Sequence, residues 1–297
     1  MGRRDPAEII SRLIHWAKSK ESVRVMLLTS TRAQLDAKSD IFSDYDVILV
    51  VRDIHPLWAD RSWISDFGDV LVTYWDPIYP EPEYGIEQTG NVIQYADGLK
   101  IDFRLWPIDL LREIVHAPTL PADLDAGYRI LLDKDGLAES IPAPTHLAYI
   151  PQRPTEDGYR TFVEEFFSDA PYVAKHLLRG DLLPAKWCLD YDMKHVYLRQ
   201  MLEWRLESEH NWSLPVRNLG KGLKKLLPAD LWQELTSTYA GGGIDENWHA
   251  LFRTLALFRS VARDVADDLG YAYPEELDRR VTAYVHAMRT AEPEAIT

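Results

Sequence analysis

The sequence predicts an α+β chain in which a mixed α/β domain precedes an all-α helical bundle. Three observations carry that expectation. Apolar, β-branched runs of strand length occupy the first part of the chain, as at Val23-Arg24-Val25-Met26-Leu27-Leu28 and Val47-Ile48-Leu49-Val50-Val51. A stretch holding Pro142, Pro144, Pro151 and Pro154 shows no periodicity and reads as a linker. Beyond it, apolar residues recur at helical spacing. The expected divisions are an α/β domain over 1–137, a linker over 138–155 and a helical domain over 156–297.

The first element is a helix. Asp5 can cap it, Pro6 suits the first helical position and Glu8 completes an Asp-x-x-Glu box, after which Ile9, Ile10, Leu13, Ile14 and Ala17 fall on one face. Strands follow at 23–28 and 45–51, separated by a polar loop from Ser30 to Ser43, with another at 70–75. Residues 91–95 and 99–106 flank Asp97-Gly98, a strong hairpin signal because glycine readily takes positive φ. Pro107 ends that hairpin and opens a short helix over 108–115, and a last strand covers 128–132. Helices are then expected at 156–168, 171–178, 184–209, 220–227, 228–239, 246–269 and 274–288. Gly241-Gly242-Gly243 lacks the context of a phosphate-binding loop and reads as a turn between helices.

Of 297 residues 46% are hydrophobic, enough for two globular domains, and the apolar runs are too short to cross a bilayer. No export signal is apparent, so the expectation is a soluble cytoplasmic protein, monomeric or weakly dimeric. Thirty-three basic and 47 acidic residues leave a net charge of −14, which repels nucleic acid on average and attracts a cationic small molecule. Cys188 is the only cysteine, which excludes an internal disulfide, and its apolar neighbours make it a core residue rather than a nucleophile. The histidines form no tight zinc motif.

The chemistry centres on Asp44 and Asp46. Residues i and i+2 of a strand point to one face, so the two carboxylates project together and their repulsion calls for a cation between them. Mg²⁺ is the natural choice, because it accepts one or two carboxylates and fills its shell with phosphate and water. Asp-x-Asp alone is common, and Asp190-Tyr191-Asp192 repeats it in this chain. The context is more specific. The pair opens an apolar strand after a polar loop, and the previous strand ends in Thr29-Ser30-Thr31-Arg32. Asp102 lies mid-strand, where alternation sets Lys100, Asp102 and Arg104 on the face opposite Ile101, Phe103 and Leu105.

Strand, hydroxyl-bearing turn, Asp-x-Asp on a second strand and a lone Asp on a later one resemble the polymerase-β-like nucleotidyltransferases. Over almost its whole length the chain resembles the aminoglycoside 6-adenylyltransferase (streptomycin adenylyltransferase) family. The resemblance rests on Thr31-Arg32, Phe42-Ser43-Asp44-Tyr45-Asp46-Val47 and Lys100-Ile101-Asp102 in the first half. In the second half it rests on Met201-Leu202-Glu203-Trp204, Gly220-Lys221-Gly222-Leu223-Lys224-Lys225, Asn247-Trp248-His249-Ala250-Leu251-Phe252 and Gly270-Tyr271-Ala272-Tyr273-Pro274.

The resemblance implies Mg²⁺-dependent transfer of AMP from ATP to an aminoglycoside hydroxyl, with release of pyrophosphate. Asp44 and Asp46 would hold the metal, and Asp102 would be a ligand to a second metal or the base that takes the hydroxyl proton. Ser30, Thr31, Arg32 and Ser43 would cradle the terminal phosphates, and Lys221 would supply a counter-charge. In the turn after the first strand the family carries Gly-Ser, whereas this chain has Ser30-Thr31. A non-glycine residue at positive φ there costs about 1–2 kcal/mol. For a cationic acceptor, the candidate contacts are Trp75, Glu81 and Glu83 in an aromatic and acidic segment, and Asp190 in the helical half. The alternatives are nucleotidyl transfer to another small-molecule or protein hydroxyl, and a non-catalytic nucleotide-binding module.

Overall fold

The computed structural model describes residues 5–33, 39–40, 42–216 and 218–290, so part of the polar loop expected between Ser30 and Ser43 lies outside the described residues. The chain divides into two compact units, Met1–Ala148 and Tyr149–Thr297.

The first unit is built on a mixed sheet. Helix α1 (Pro6–Ser19) is capped by Asp5, whose side chain accepts from the Ala7 N–H, and it buries Ile9, Leu13, Trp16 and Ala17. The strands are β1 (Val23–Thr29), β2 (Tyr45–Val51), β3 (Val70–Trp75), β4 (Tyr79–Pro80), β5 (Glu87–Tyr95), β6 (Lys100–Pro107) and β7 (Arg129–Asp133). Helices α2 (His55–Ala59), α3 (Ile108–His116) and α4 (Ala122–Asp125) lie between strands, and a 3₁₀ segment covers Arg61–Phe67. Strand order is β3-β5-β6-β2-β1-β7, with β4 on β5. Pairing is antiparallel except for β2 with β6, which run parallel with Asp46 opposite Asp102. The β5–β6 hairpin turns through Asp97-Gly98, where Gly98 has φ 95°.

Alternation divides the sheet's faces. Met26, Leu28, Val47, Leu49, Ile101, Phe103 and Leu105 pack with α1 and with Trp63 and Phe67. Val25, Leu27, Ile48, Val50 and Trp106 pack on the other side with Leu110, Leu111 and Ile114 of α3 and Leu124 of α4. Because Asp46 and Asp102 share parity with Ile48, Val50 and Trp106, they lie on the α3 side. The proline-bearing stretch is partly anchored to this unit, since Thr145 and His146 donate backbone N–H bonds to Asp125.

The second unit is helical: α5 (Glu156–Arg179), α6 (Leu182–Lys186), a π-helical stretch Trp187–Leu198, α7 (Arg199–Glu209), α8 (Leu223–Leu226), α9 (Ala229–Ser237), α10 (Ile244–Leu269) and α11 (Glu275–Thr290). The two helices expected at 156–168 and 171–178 are one. Pro171 sits inside α5, and the buried row Tyr159, Val163, Phe166, Ala170, Val173 and Leu177 runs through it unbroken. Continuous burial on one face offsets the hydrogen bond that proline removes. The helix expected at 220–227 shrinks to Leu223–Leu226, because Leu219, Gly220 and Gly222 all have positive φ. Helix α11 is tied to α10 by Arg259, which donates to both oxygens of Asp278 at 2.5 and 2.6 Å, while Tyr273 and Thr282 donate to the same carboxylate at 2.9 Å. Among the described residues no helix is long and apolar enough to cross a membrane.

Candidate active site

The site forms where β2 and β6 begin. Their parallel, in-register pairing places Asp46 beside Asp102, one strand spacing of about 4.8 Å apart, on the same face. Asp44 stands just before β2, and a turn of 3₁₀ helix, Ser30–Arg32, follows β1. Over this end of the sheet lies a cleft lined by Thr29, Ser30, Asp46, Val47, Ile48, Asp102, Arg104 and Asp123, with Arg104 and Asp123 paired across it.

Lys100 binds the acids together. Its ammonium donates to Asp44 Oδ2 at 2.6 Å and to Asp102 Oδ2 at 2.9 Å. The three side chains are 29%, 37% and 25% exposed respectively, so the cluster is partly desolvated yet reachable. Burial pushes Asp46 above the usual carboxylate range; Asp102 and Asp44 reinforce the rise, while the Ser30 hydroxyl and Lys100 oppose it. Burial raises Asp102 as well, against the hydrogen bond from Lys100. Burial alone would lower the Lys100 ammonium, but its two carboxylate partners hold it above its ordinary value.

These residues suit a divalent cation. Asp102 Oδ1 is buried with no hydrogen-bond partner among the described residues, and a buried, unpaired carboxylate oxygen is costly unless something positive meets it. A cationic nitrogen already bridges two of the three acids. The donor set is all oxygen, as a hard cation requires. Among the described residues, a tighter group of potential ligands occurs in the helical unit, where atoms of Asp169, Cys188 and Asp192 lie within 4.8 Å of one another. Burial pushes that thiol far up, so it stays protonated and presents no thiolate to a metal.

The other expected residues divide. Ser30 has φ 59°, the left-handed conformation for which the turn would favour glycine, and its hydroxyl bonds Asp46. Thr31 is half-buried in the same turn. Arg32 is engaged locally. Its guanidinium donates to the backbone carbonyls of Asp40, Ser43 and Asp44 and lies 4.0 Å from the Tyr45 ring centroid, so it straps down the segment that presents Asp44. The Ser43 hydroxyl likewise closes a local turn with Asp40. Lys221 is exposed between Gly220 and Gly222 in the helical unit.

Within the α/β unit, Trp75, Glu81 and Glu83 do not stand beside the three carboxylates. Trp75 is buried on the α1 side of the sheet, edge-on to Trp63, because β3 alternation turns it away from the face that carries Asp102. Glu81 accepts the N–H groups of Glu83 and Tyr84, closing a turn, and Glu83 is exposed. Both flank β4, which pairs with Glu87 and Gln88, whereas Asp102 pairs with Val92. Five residues of β5, about 17 Å, separate the two places. Asp190 has both oxygens engaged, by Lys186 at 2.8 Å and by Lys194 at 2.7 Å, which neutralises it toward an outside cation. Those lysines stand at i−4 and i+4, so the pairing was visible as a helical charge pattern. The sequence also set Lys100 and Arg104 on the polar face of β6, but not their partners Asp44 and Asp123.

Known proteins are similar to this chain over almost its whole length. The model of the streptomycin adenylyltransferase family matches residues 3–288. An aminoglycoside 6-adenylyltransferase from Bacillus subtilis (strain 168) is 30% identical over 288 residues, 96% of this chain and 98% of that one. One from Campylobacter jejuni is 28% identical over 287 residues, 95% of each. A crystal structure of an aminoglycoside 6-adenyltransferase from Bacillus subtilis aligns with 97% of this chain and 100% of that one, at 23% identity and a TM-score of 0.46. The chain belongs to the streptomycin adenylyltransferase family and is a nucleotidyltransferase.

Proposed function

We propose that the chain transfers AMP from Mg-ATP to a hydroxyl of a streptomycin-like aminoglycoside and releases pyrophosphate. The observation that carries this reading is the gathering of Asp44, Asp46 and Asp102 at the paired starts of β2 and β6, with the Lys100 ammonium bridging Asp44 and Asp102. Asp44 and Asp46 would hold Mg²⁺, with Asp102 as a further ligand or as the base. When bound, the metal supplies Lewis-acid polarisation of the phosphates and a template for the triphosphate.

The chain's own groups do the rest. Ser30 orients the Asp46 carboxylate through its hydroxyl. The backbone and hydroxyl of Thr31 would cradle the terminal phosphates, and Lys221 would supply a counter-charge to them. Burial makes Asp102 a stronger proton acceptor than a solvated aspartate, which suits a base working on an alcohol. The net charge of −14 favours approach of a polycationic acceptor.

Incubation with Mg-ATP and a panel of aminoglycosides tests this, read as pyrophosphate release and as a mass gain of one AMP on the drug. Turnover with streptomycin is expected. Turnover only with a different alcohol would replace the acceptor, and ATP binding without turnover on any acceptor would overturn the enzymatic reading.

A further inference from the structure

We infer that Lys100 is a tethered cation occupying the position between Asp44 and Asp102, so that the nucleotide-free cluster accepts one divalent ion and excludes a second. The inference rests on the metal-site reading above and adds a stoichiometry to it. Three carboxylates carry a formal charge of −3, and the ammonium at 2.6 and 2.9 Å from Asp44 and Asp102 reduces this to −2. One divalent cation neutralises that remainder. A second would have to share Asp44 and Asp102 with an ammonium already in contact with both, and the repulsion between them acts in a partly desolvated place.

The geometry gives Lys100 this role for a local reason. Lys100 and Asp102 are i and i+2 on β6, so they share a face, and parallel pairing with β2 carries the ammonium to the strand start where Asp44 stands. Asp46 makes no hydrogen bond or ion pair with the ammonium, and its own bond is to the Ser30 hydroxyl. The side facing Asp46 is therefore the open one, and Asp102 Oδ1, the buried oxygen that Lys100 does not touch, completes it.

Mn²⁺ binding to the full chain without nucleotide tests the inference, followed by the electron paramagnetic resonance signal of free Mn²⁺. The wild-type protein should bind one ion per chain. Lys100→Met and Lys100→Gln should bind two, or bind the first at least about tenfold more tightly, while Lys100→Arg keeps the wild-type behaviour. A merely structural lysine would give weaker binding or none on substitution. Circular dichroism of each variant guards against misfolding, and having two neutral variants keeps the test decisive if one of them fails to fold. Two ions on the wild type, or one at unchanged affinity on both neutral variants, would overturn the inference while Asp46→Asn still abolished binding. Binding indifferent to Asp46→Asn, or no binding by any variant, would overturn the metal-site reading and this inference together.

Discussion

In the α/β unit, Asp44, Asp46 and Asp102 crowd one end of a sheet, and the ammonium of Lys100 bridges Asp44 and Asp102; in the helical unit, Asp169 and Asp192 face each other beside a thiol with no cationic partner among the described residues. Like charges brought together this way must attract a cation or take up a proton. The first cluster has a cation and an opening to solvent. The second lacks the cation, and burial, with the charge of Asp192, pushes Asp169 up to about 6. Acid count therefore does not mark the functional site. Which of the two remedies the surroundings permit does.

The largest expected effect comes from removing a ligand at the first cluster. Asp46→Asn should lower metal-dependent turnover by about a thousandfold or more. It should leave the thermal midpoint unchanged or raised, since one of three repelling charges is gone. Undiminished pyrophosphate release would break the assignment.

An acid that already has its cation supplies the contrast. Burial would raise Asp278, but hydrogen bonds from Arg259, Tyr273 and Thr282 overcome it and hold the carboxyl below the usual range. Its contribution to stability is thus present above the unfolded value of about 3.9 and is lost as pH falls through the lower folded value. Asp278→Asn should cost about 3–5 kcal/mol in urea unfolding at pH 7, because Arg259 is left unpaired. The deficit should narrow near pH 3, and a deficit independent of pH would contradict the pairing.

Asp169 has the opposite sign. Its folded value is raised, so the wild type loses stability as pH climbs from about 4 to about 6. Asp169→Asn should be about 1–2 kcal/mol more stable at pH 7, after allowance for solvent screening, and equal to the wild type below pH about 4. A variant less stable at neutral pH would show that the acid is compensated after all.

The smallest effects belong to Ser30. Ser30→Gly relieves the positive φ but gives up the bond to Asp46, so its stability should stay within about 1 kcal/mol of the wild type. Ser30→Ala keeps the strain and loses the bond, and should be the less stable of the two by about 1 kcal/mol. The reverse order in chemical denaturation would mean that the positive φ at this position costs nothing.

Much of this was legible in the residues because the signals are local. Asp5 announced the start of α1, Asp97-Gly98 announced the hairpin, and β-branched runs marked β1, β2 and β3. The Asp44, Asp46 and Asp102 set was legible as well, since alternation fixes which side chains share a face. What escaped depends on pairing between distant segments. Lys100 meets Asp44 across 56 positions only because β2 and β6 run parallel, a choice that strand patterns do not encode. Arg32 stood out as a charge in a loop, and nothing local reveals that three backbone carbonyls accept from its guanidinium. Trp75 drew notice as an aromatic beside acids, yet its parity on β3 sends it to the core. The π-helical stretch gives no periodic signature that would set it apart from the α-helices on either side.

The parallel pairing of β2 and β6 also constrains how such a chain can diverge. Deleting or inserting one residue within 45–51 or 100–107 turns every later side chain of that strand over, sending an aspartate into the apolar face and a leucine or phenylalanine into the cleft. Substitution can therefore explore these strands, but changes of length cannot. Between them lie α2, the 3₁₀ segment, β3 and the β4 turn, none of which supplies any of the three acids. Descendants of this sequence should accumulate their insertions there and in the loop before β2, while the spacing within each of the two strands stays fixed.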